Sequence, residues 1–138
     1  MTKTSTIGGA SRRMQERRTE HEGPPKVSVI ICVYNGGAYF RESLQSVLDQ
    51  TCENIKIIVV DDGSTDGATA FLDGQNIDPR VKFFRQENQG KSAALNFALG
   101  QISSDYYAIH DADDLSHRER IEKQISFLAD GIAMIETA

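Results

Sequence analysis

The chain alternates between continuous apolar runs and segments in which apolar residues recur at helical spacing. The runs lie at 27–33, 55–60, 81–84 and 106–109, and the first two are rich in β-branched residues. Such runs are typical of strands covered on both faces, so four strands are predicted. A short helix is predicted near 68–72. Spacings of three and four residues predict three further helices, marked by Phe40, Leu44, Val47 and Leu48, by Leu95, Ala98, Leu99 and Ile102, and by Ile121, Ile125 and Leu128.

Strands that alternate with helices predict an α/β fold, with a mostly parallel sheet flanked by helices on both faces. In such sheets, ligands bind beyond the carboxyl ends of the strands, at the point where the strand order reverses. Three polar segments directly follow predicted strands, namely Tyr34-Asn35, Asp61-Asp62 and 111–114. We therefore expect these segments to meet at one edge of the sheet and to form the binding site.

The first 25 residues differ in composition from the remainder. They are polar and end at Gly23-Pro24-Pro25, which predicts a disordered basic leader at 1–25 and a folded domain at 26–138. Residues 1–26 carry six basic and three acidic side chains, residues 27–138 carry nine and seventeen, and +3 and −8 give the net charge of −5. An acidic domain argues against nucleic-acid binding, which needs a concentrated Lys/Arg surface.

The distribution of apolar residues also predicts the compartment. No apolar run reaches the roughly 20 residues of a transmembrane helix, and no apolar stretch follows the basic leader as it does in a secretory signal peptide. We expect a cytoplasmic protein without a transmembrane segment. Contact of the leader with anionic lipids, as a peripheral association at the inner face of the membrane, is the alternative to a simply solvated leader.

The cysteines and histidines are assigned structural roles. Cys32 and Cys52 lack the spacing of a zinc site, and Cys32 lies within an apolar run, which favours a small core residue. His110 and His117 flank an acidic cluster, but neither has a partner four residues further on. We expect both histidines to be structural rather than metal ligands.

The acidic cluster at 111–114 is the strongest indication of a binding site in the sequence. Its three carboxylates, Asp111, Asp113 and Asp114, repel one another, and a divalent cation relieves that repulsion. Carboxylate oxygens are the ligands that Mg²⁺ and Mn²⁺ prefer, and such ions are usually held by one or two carboxylates together with substrate phosphates. The cluster therefore predicts both an ion and a phosphate-bearing ligand. The alternative is that it caps a helix beginning after Leu115, since acidic residues favour helix N-termini.

The other polar segments suit a nucleotide. A carboxylate at a strand end, Asp61 or Asp62, can accept hydrogen bonds from a base or a ribose, or can simply cap the following turn. Tyr34 can stack on a base, or can be an ordinary aromatic residue at the rim. Lys91, after Gly90 at a predicted helix start, can face a phosphate or sugar oxygen, although the spacing is not that of a phosphate-binding Walker loop.

Together, these segments resemble the family 2 glycosyltransferases with the GT-A fold. The resemblance covers about 110 residues, and its motifs occur in the family's order. The matching stretches are Val27 to Asn35 (VSVIICVYN), Ile58 to Asp66 (IVVDDGSTD), Asn88 to Asn96 (NQGKSAALN) and Tyr107 to Asp114 (YAIHDADD), followed by Arg118 to Leu128 (RERIEKQISFL).

The resemblance implies a nucleotide-sugar donor, most often UDP-linked, and a role for each matching residue. Tyr34, with Asn35 beside it, would pack on the base, and Asp61 or Asp62 would hydrogen-bond it. Asp111 would approach the ribose or the diphosphate, with Lys91 near the donor. The ligand of Mn²⁺ or Mg²⁺ would be Asp113, with Asp114 as a second ligand or close neighbour.

The resemblance also implies an inverting transfer to a hydroxyl of a glycan or lipid-linked acceptor. The general base of such enzymes usually lies in the second half of the domain, so we expect it beyond Ala138 and expect the acceptor half to be absent. Two alternatives remain. One is a non-catalytic nucleotide-sugar-binding module, and the other is an unrelated phosphotransfer or receiver-like domain, which would need a phosphoacceptor aspartate where Tyr34-Asn35 stands.

Overall fold

The computed structural model describes residues 27–74 and 77–129, and the predicted leader at 1–25 lies outside them. The elements are those that the apolar pattern predicts, with small changes at their ends. The strands are β1 (Val27–Val33), β2 (Ile55–Asp61), β3 (Val81–Arg85) and β4 (Tyr106–Ile109), the α-helices are α1 (Tyr39–Leu48), α2 (Lys91–Leu99) and α3 (Arg120–Ala129), and a 3₁₀ helix spans Ala70–Asp73.

The four strands form one parallel sheet in the order β3-β2-β1-β4. The chain runs outward from β1 to β2 and β3, and then returns to place β4 on the other side of β1. In the register of the sheet, Val33 pairs with Asp61 and Asp61 pairs with Arg85, so these strands end level with one another. The strand order reverses between β1 and β4, and this is where a ligand is expected in such a sheet.

Helices cover both faces of the sheet, which confirms the predicted α/β class. On one face, Phe40 and Val47 of α1, Leu72 of the 3₁₀ helix and Ile121 of α3 pack against the strands. On the other face, the contact is made by α2, whose small side chains Ala94 and Ala98 are fully buried and allow close approach. The β-branched residues of β1 and β2 are therefore enclosed on both faces, as their continuous apolar pattern requires.

The last two helices differ from their sequence-based bounds. The helix α2 ends at Leu99, because Gly100 caps it with backbone hydrogen bonds, and Ile102 packs against the core from the following loop. The helix α3 begins at Arg120, five residues after Leu115. The interpretation of 111–114 as a helix cap is therefore wrong, since the dipole of a helix acts only within its first turn.

Two smaller features complete the framework. The turn near 68–72 forms a short 3₁₀ helix, which begins after a turn at Gly67 that requires a positive φ of 77°. Within the described residues, we find no helix whose length and apolar content would let it cross a bilayer.

Candidate functional site

A cavity of about 600 Å³ opens at the carboxyl edge of the sheet, between the tips of β1, β2 and β4 and the start of α2. It contains six of the eight site residues predicted from the sequence and leaves out Asp61 and Asp114. The predicted residues in its wall are Tyr34, Asn35, Asp62, Lys91, Asp111 and Asp113, and they are joined there by Cys32, Val33, Gly36, Tyr39 and Ala112.

The tip of β1 is held in place by the loop that follows β2. The backbone N–H of Asn35 donates to Ser64 Oγ at 2.8 Å, and Asn35 Oδ1 accepts from the backbone N–H of Thr65 at 2.8 Å. Asn35 adopts a positive φ of 51°, a conformation that asparagine tolerates better than most residues. The side chain of Asn35 is thus engaged within the protein, while the neighbouring Tyr34 remains 54% exposed and open to a ligand.

Asp61 is enclosed within the protein. Its side chain is 0% exposed, and its carboxylate accepts hydrogen bonds from Thr69 Oγ1 and from the backbone N–H of Ser64, with Arg85 nearby. Burial alone would raise the pKa of this carboxyl group, but the hydrogen bonds and the guanidinium of Arg85 outweigh it and lower the pKa. Asp61 therefore joins β2 to the 3₁₀ helix region and does not reach the cavity.

Asp62 lines the cavity and also anchors the loop before α2. Its Oδ1 accepts from Gln86 Nε2 at 2.9 Å and from the backbone N–H of Gln89 at 2.8 Å. Its Oδ2 accepts from the backbone N–H of Gly90 at 2.9 Å and from Asn88 Nδ2 at 3.3 Å. Burial would raise the pKa of Asp62, but these hydrogen bonds lower it, so the carboxylate is ionised at neutral pH.

Lys91 and Asp111 approach one another across the cavity. Lys91 Nζ lies 3.2 Å from Asp111 Oδ1, and both side chains are exposed, at 69% and 54%. Exposed ion pairs of this kind contribute little to stability, because solvent competes for both charges. The pair therefore places one positive and one negative side chain in the cavity wall, where a ligand can replace either partner.

The acidic cluster suits a divalent cation that is shared with a ligand. In the part of the chain that the structure describes, no group of three or more His, Cys, Asp or Glu side chains encloses a possible metal position. Asp111 and Asp113 nevertheless line the same cavity. Mg²⁺ and Mn²⁺ are commonly held by one or two carboxylates, with water and substrate phosphates as the remaining ligands, so this donor set fits such an ion.

Asp114 lines a second cavity, of about 440 Å³, together with residues 109–111 and 115–117 and Arg120. Asp111 lines both cavities. His110 also lines the second cavity and is buried and hydrogen-bonded, in agreement with the structural role expected for it, whereas His117 is exposed. Burial and the charge of Arg120 lower the pKa of His110, so its imidazole is neutral at pH 7.

Both cysteines are free thiols, and Cys32 has a position that the sequence did not indicate. Cys32 is only partly buried and lines the 600 Å³ cavity. Burial raises the pKa of its thiol to about 11, although Lys91 opposes this shift. The thiol is therefore protonated at neutral pH and is a poor nucleophile.

Several residues of the site were not identified from the sequence. Tyr39 is 67% exposed at the start of α1 and presents a second aromatic ring to the cavity. Tyr39 is the one aromatic residue of α1 outside its apolar stripe, and this position in the sequence already indicates a side chain that does not pack in the core. Gln86 and Asn88 bind Asp62 from 24 and 26 residues away, and no local pattern reveals such contacts.

Comparison with known proteins agrees with this geometry. The profile of glycosyl transferase family 2 matches residues 28–135. A Haemophilus influenzae protein named as an uncharacterized glycosyltransferase is 42% identical over 109 residues, which cover 78% of this chain and 34% of that protein. The chain therefore spans about a third of the length of this relative.

Two solved glycosyltransferase structures are similar in fold. S. aureus TarS in complex with UDP has a TM-score of 0.69 at 28% identity, covering 76% of this chain and 32% of that chain, and TarS is also solved with UDP-GlcNAc. The mannosyltransferase PcManGT from Pyrobaculum calidifontis, in complex with GDP-Man and Mn²⁺, has a TM-score of 0.67 at 27% identity, covering 92% of this chain and 42% of that chain.

These matches confirm the resemblance drawn from the sequence motifs. They count against the phosphotransfer or receiver-like alternative. The parallel sheet with helices on both faces is the architecture of the GT-A neighbours. The chain thus belongs to glycosyl transferase family 2 and has the GT-A fold.

Proposed function

We propose that the 600 Å³ cavity binds the nucleotide-diphosphate sugar of a metal-dependent glycosyltransferase, with a UDP-linked sugar as the donor. The observation that carries this proposal is the meeting of an exposed aromatic ring, an exposed lysine and two exposed carboxylates at the reversal point of the sheet. They are Tyr34, Lys91, Asp111 and Asp113. Structural neighbours that bind UDP, UDP-GlcNAc and GDP-Man support it.

In this proposal, the two ends of the cavity recognise different parts of the donor. Tyr34 stacks on the base, and a base N–H reaches Asp62 by replacing its longest hydrogen bond, from Asn88 Nδ2 at 3.3 Å. Asp61 is not assigned a ligand contact, because it is fully buried. Lys91 turns from Asp111 toward a phosphate, since its ammonium group is exposed and its ion pair is weak.

The cation would bind where Asp111 and Asp113 line the cavity. Asp113 would hold Mn²⁺ or Mg²⁺ with the donor phosphates, and Asp111 would contact the ribose or diphosphate. Asp114 lines the second cavity, so we assign it no contact with the ion. When bound, the ion would neutralise charge on the departing nucleoside diphosphate. We assign an inverting transfer to a glycan or lipid-linked hydroxyl, with the general base in the part of the relatives that this chain does not span.

Calorimetric titration of the chain with UDP tests this proposal. We expect UDP to bind tightly with Mn²⁺ and weakly with chelator, and Asp113→Asn to lower the Mn²⁺-dependent affinity by about 100-fold, because a direct metal ligand is lost. Asp49→Asn, at the end of α1, is the matched control and should bind as the wild type does. Equal affinity for UDP with and without Mn²⁺ in the wild-type chain would refute the metal-dependent donor site.

A further inference from the structure

The loop at 111–114, here called the acidic loop, is held at both ends by a polar network that does not line the donor cavity. Ser43 Oγ, on α1, donates to the backbone carbonyl of Asp111 at 3.1 Å. His110 Nε2 lies 3.0 Å from the carbonyl of Asp114 and 2.8 Å from Ser43 Oγ. The two carbonyl groups that bound the acidic loop are therefore tied to one buried serine-histidine pair.

The hydrogen-bond partners fix the tautomer of His110. Arg120 Nη1 lies 3.2 Å from His110 Nδ1, and an arginine can only donate, so Nδ1 must accept. The proton of the neutral ring then resides on Nε2, from which it is donated to Ser43 Oγ and the Asp114 carbonyl. Since Ser43 Oγ accepts from His110, its own proton is free for the Asp111 carbonyl. The donors of Ser43 and His110 thus both reach backbone carbonyl groups of the acidic loop.

Arg120 completes the network from the first turn of α3. Besides His110, its guanidinium donates to Ser116 Oγ at 3.1 Å and to the carbonyl of Ile109 at 3.1 Å. It therefore binds the chain on both sides of the acidic loop. Its positive charge interacts with Asp111 and Asp114, and it offsets the repulsion between these carboxylates.

We propose that Ser43, His110 and Arg120 are positioning residues that hold the acidic loop in the conformation that receives the cation. The claim rests on the proposed function, because it concerns the ion that Asp113 would hold. None of the three side chains lines the donor cavity, so each acts through the loop backbone. Fixed backbone ends keep the Asp111 and Asp113 side chains on the donor side before any ligand arrives, which reduces the ordering cost of binding.

Three variants of the full chain test this role. Ser43→Ala removes the hydroxyl without adding volume, and alanine is a better helix former than serine, so α1 itself is not weakened. His110→Asn retains a polar group near the Nδ1 position but loses the hydrogen bond from Nε2 to the loop. His110→Gln retains a donor near the Nε2 position. His117→Asn is the matched control, since His117 is exposed in the same segment and its backbone carbonyl still binds Gln50 Nε2.

The first readout is amide hydrogen exchange of metal-free protein, which needs no ligand. The Asp114 amide donates to the Asp111 carbonyl at 3.1 Å and reports on the loop, while the amides of β1 report on the core. We expect exchange at 112–116 to accelerate about tenfold in Ser43→Ala and His110→Asn, with β1 unchanged, and to be largely restored in His110→Gln. Unchanged loop exchange in both variants overturns the proposal.

The second readout is the ratio of UDP affinities with Mn²⁺ and with chelator. A purely structural role would leave this ratio unchanged, whereas lost positioning lowers it by about tenfold with little change in metal-free affinity. If amide exchange in the loop accelerates while the ratio of UDP affinities stays unchanged, the inference is overturned and the proposed donor site is unaffected. If wild-type UDP binding is indifferent to Mn²⁺, both the inference and the proposed function fail.

Discussion

At the end of β2, two adjacent aspartates have opposite surroundings. Successive strand residues point to opposite faces of a sheet, so Asp61 turns inward to Thr69 and Ser64, and Asp62 turns to the loop before α2. The next residue, Gly63, must let the chain pass close to that loop. These contacts connect the cavity wall to the remainder of the fold.

Gly63→Ala is expected to be strongly destabilising. Gly63 has a φ of 81°, and a Cβ added there would lie 2.8 Å from the backbone nitrogen of Asn88. Backbone strain and the clash together should lower the free energy of unfolding by about 2–4 kcal/mol. Urea denaturation measures the loss.

Gly67→Ala separates the two causes. Gly67 has a φ of 77°, and a Cβ there would meet nothing within 4 Å, so only the backbone cost of about 1 kcal/mol applies. If the free energy of unfolding falls by the same amount in both variants, the close approach to Asn88 does not contribute to the loss.

The pH dependence of stability reports on Asp62. Because the folded protein lowers the pKa of this carboxyl group, its ionised form adds stability above the unfolded pKa of about 3.9. That contribution is lost as pH falls below about 4, toward the lower pKa of the folded state. Asp62→Asn has no such group, and at pH 7 it should lose about 1–3 kcal/mol, because the loop amides lose their charged acceptor.

Urea titrations at pH 7 and pH 3 make the comparison. The wild-type chain should lose more stability on acidification than Asp62→Asn does, so the difference between them should shrink. A difference that stays constant between the two pH values would show that the hydrogen bonds to Asp62 do not depend on its charge.

At the scale of elements, the start of α2 faces the end of β4 across the cavity. The Lys91–Asp111 ion pair spans this gap between two exposed side chains. A contact of this kind serves ligand binding better than it serves folding, because solvent screens it in the free protein and a phosphate can replace one partner.

Lys91→Gln should therefore separate stability from binding. We expect the free energy of unfolding to change by less than about 0.5 kcal/mol, and the affinity for UDP with Mn²⁺ to fall about tenfold, since one charged hydrogen bond to phosphate is lost. Thermal unfolding and calorimetry measure the two quantities. Lys82→Gln, an exposed change on β3, is the control and should alter neither. Unchanged UDP affinity in Lys91→Gln would remove Lys91 from the site.

The elements themselves could be predicted closely from the sequence, because their signals are local. Short apolar runs locate all four strands to within one residue at each end. Two bounds failed for different reasons. Gly100, which is a local stop signal, ends α2 before Ile102. The 111–116 segment is fixed by the distant Ser43 and by Arg120 instead of continuing into a helix.

The site could be predicted only in part, for the same physical reason. Strand tips of a parallel sheet meet at one edge, so the convergence of Tyr34, Asp62 and Asp113 follows from topology. The sequence does not show which of two adjacent aspartates is enclosed, because that depends on Thr69 and Gln89, which approach from other parts of the chain. Hydrogen bonds between distant residues decide such roles.

At the scale of the whole molecule, the strand order brings the three loops together. With β1 between β2 and β4, the tip of β1 lies beside both acidic segments. Residues 27–138 have a net charge of −8, from nine basic and seventeen acidic residues, so an anionic donor needs a cation to approach its carboxylates. The central claim is that the ion and the nucleotide occupy this edge together.

Paramagnetic broadening by Mn²⁺ tests that claim most directly. In a ¹⁵N-labelled chain with UDP present, substoichiometric Mn²⁺ should broaden the amide signals of 35–36, 90–91 and 111–114, and UDP should strengthen the effect. The amides at the opposite end of the sheet, near Val27 and Ile55, should stay sharp. Broadening that is centred elsewhere, or that does not depend on UDP, would contradict a shared metal and nucleotide site at the carboxyl edge.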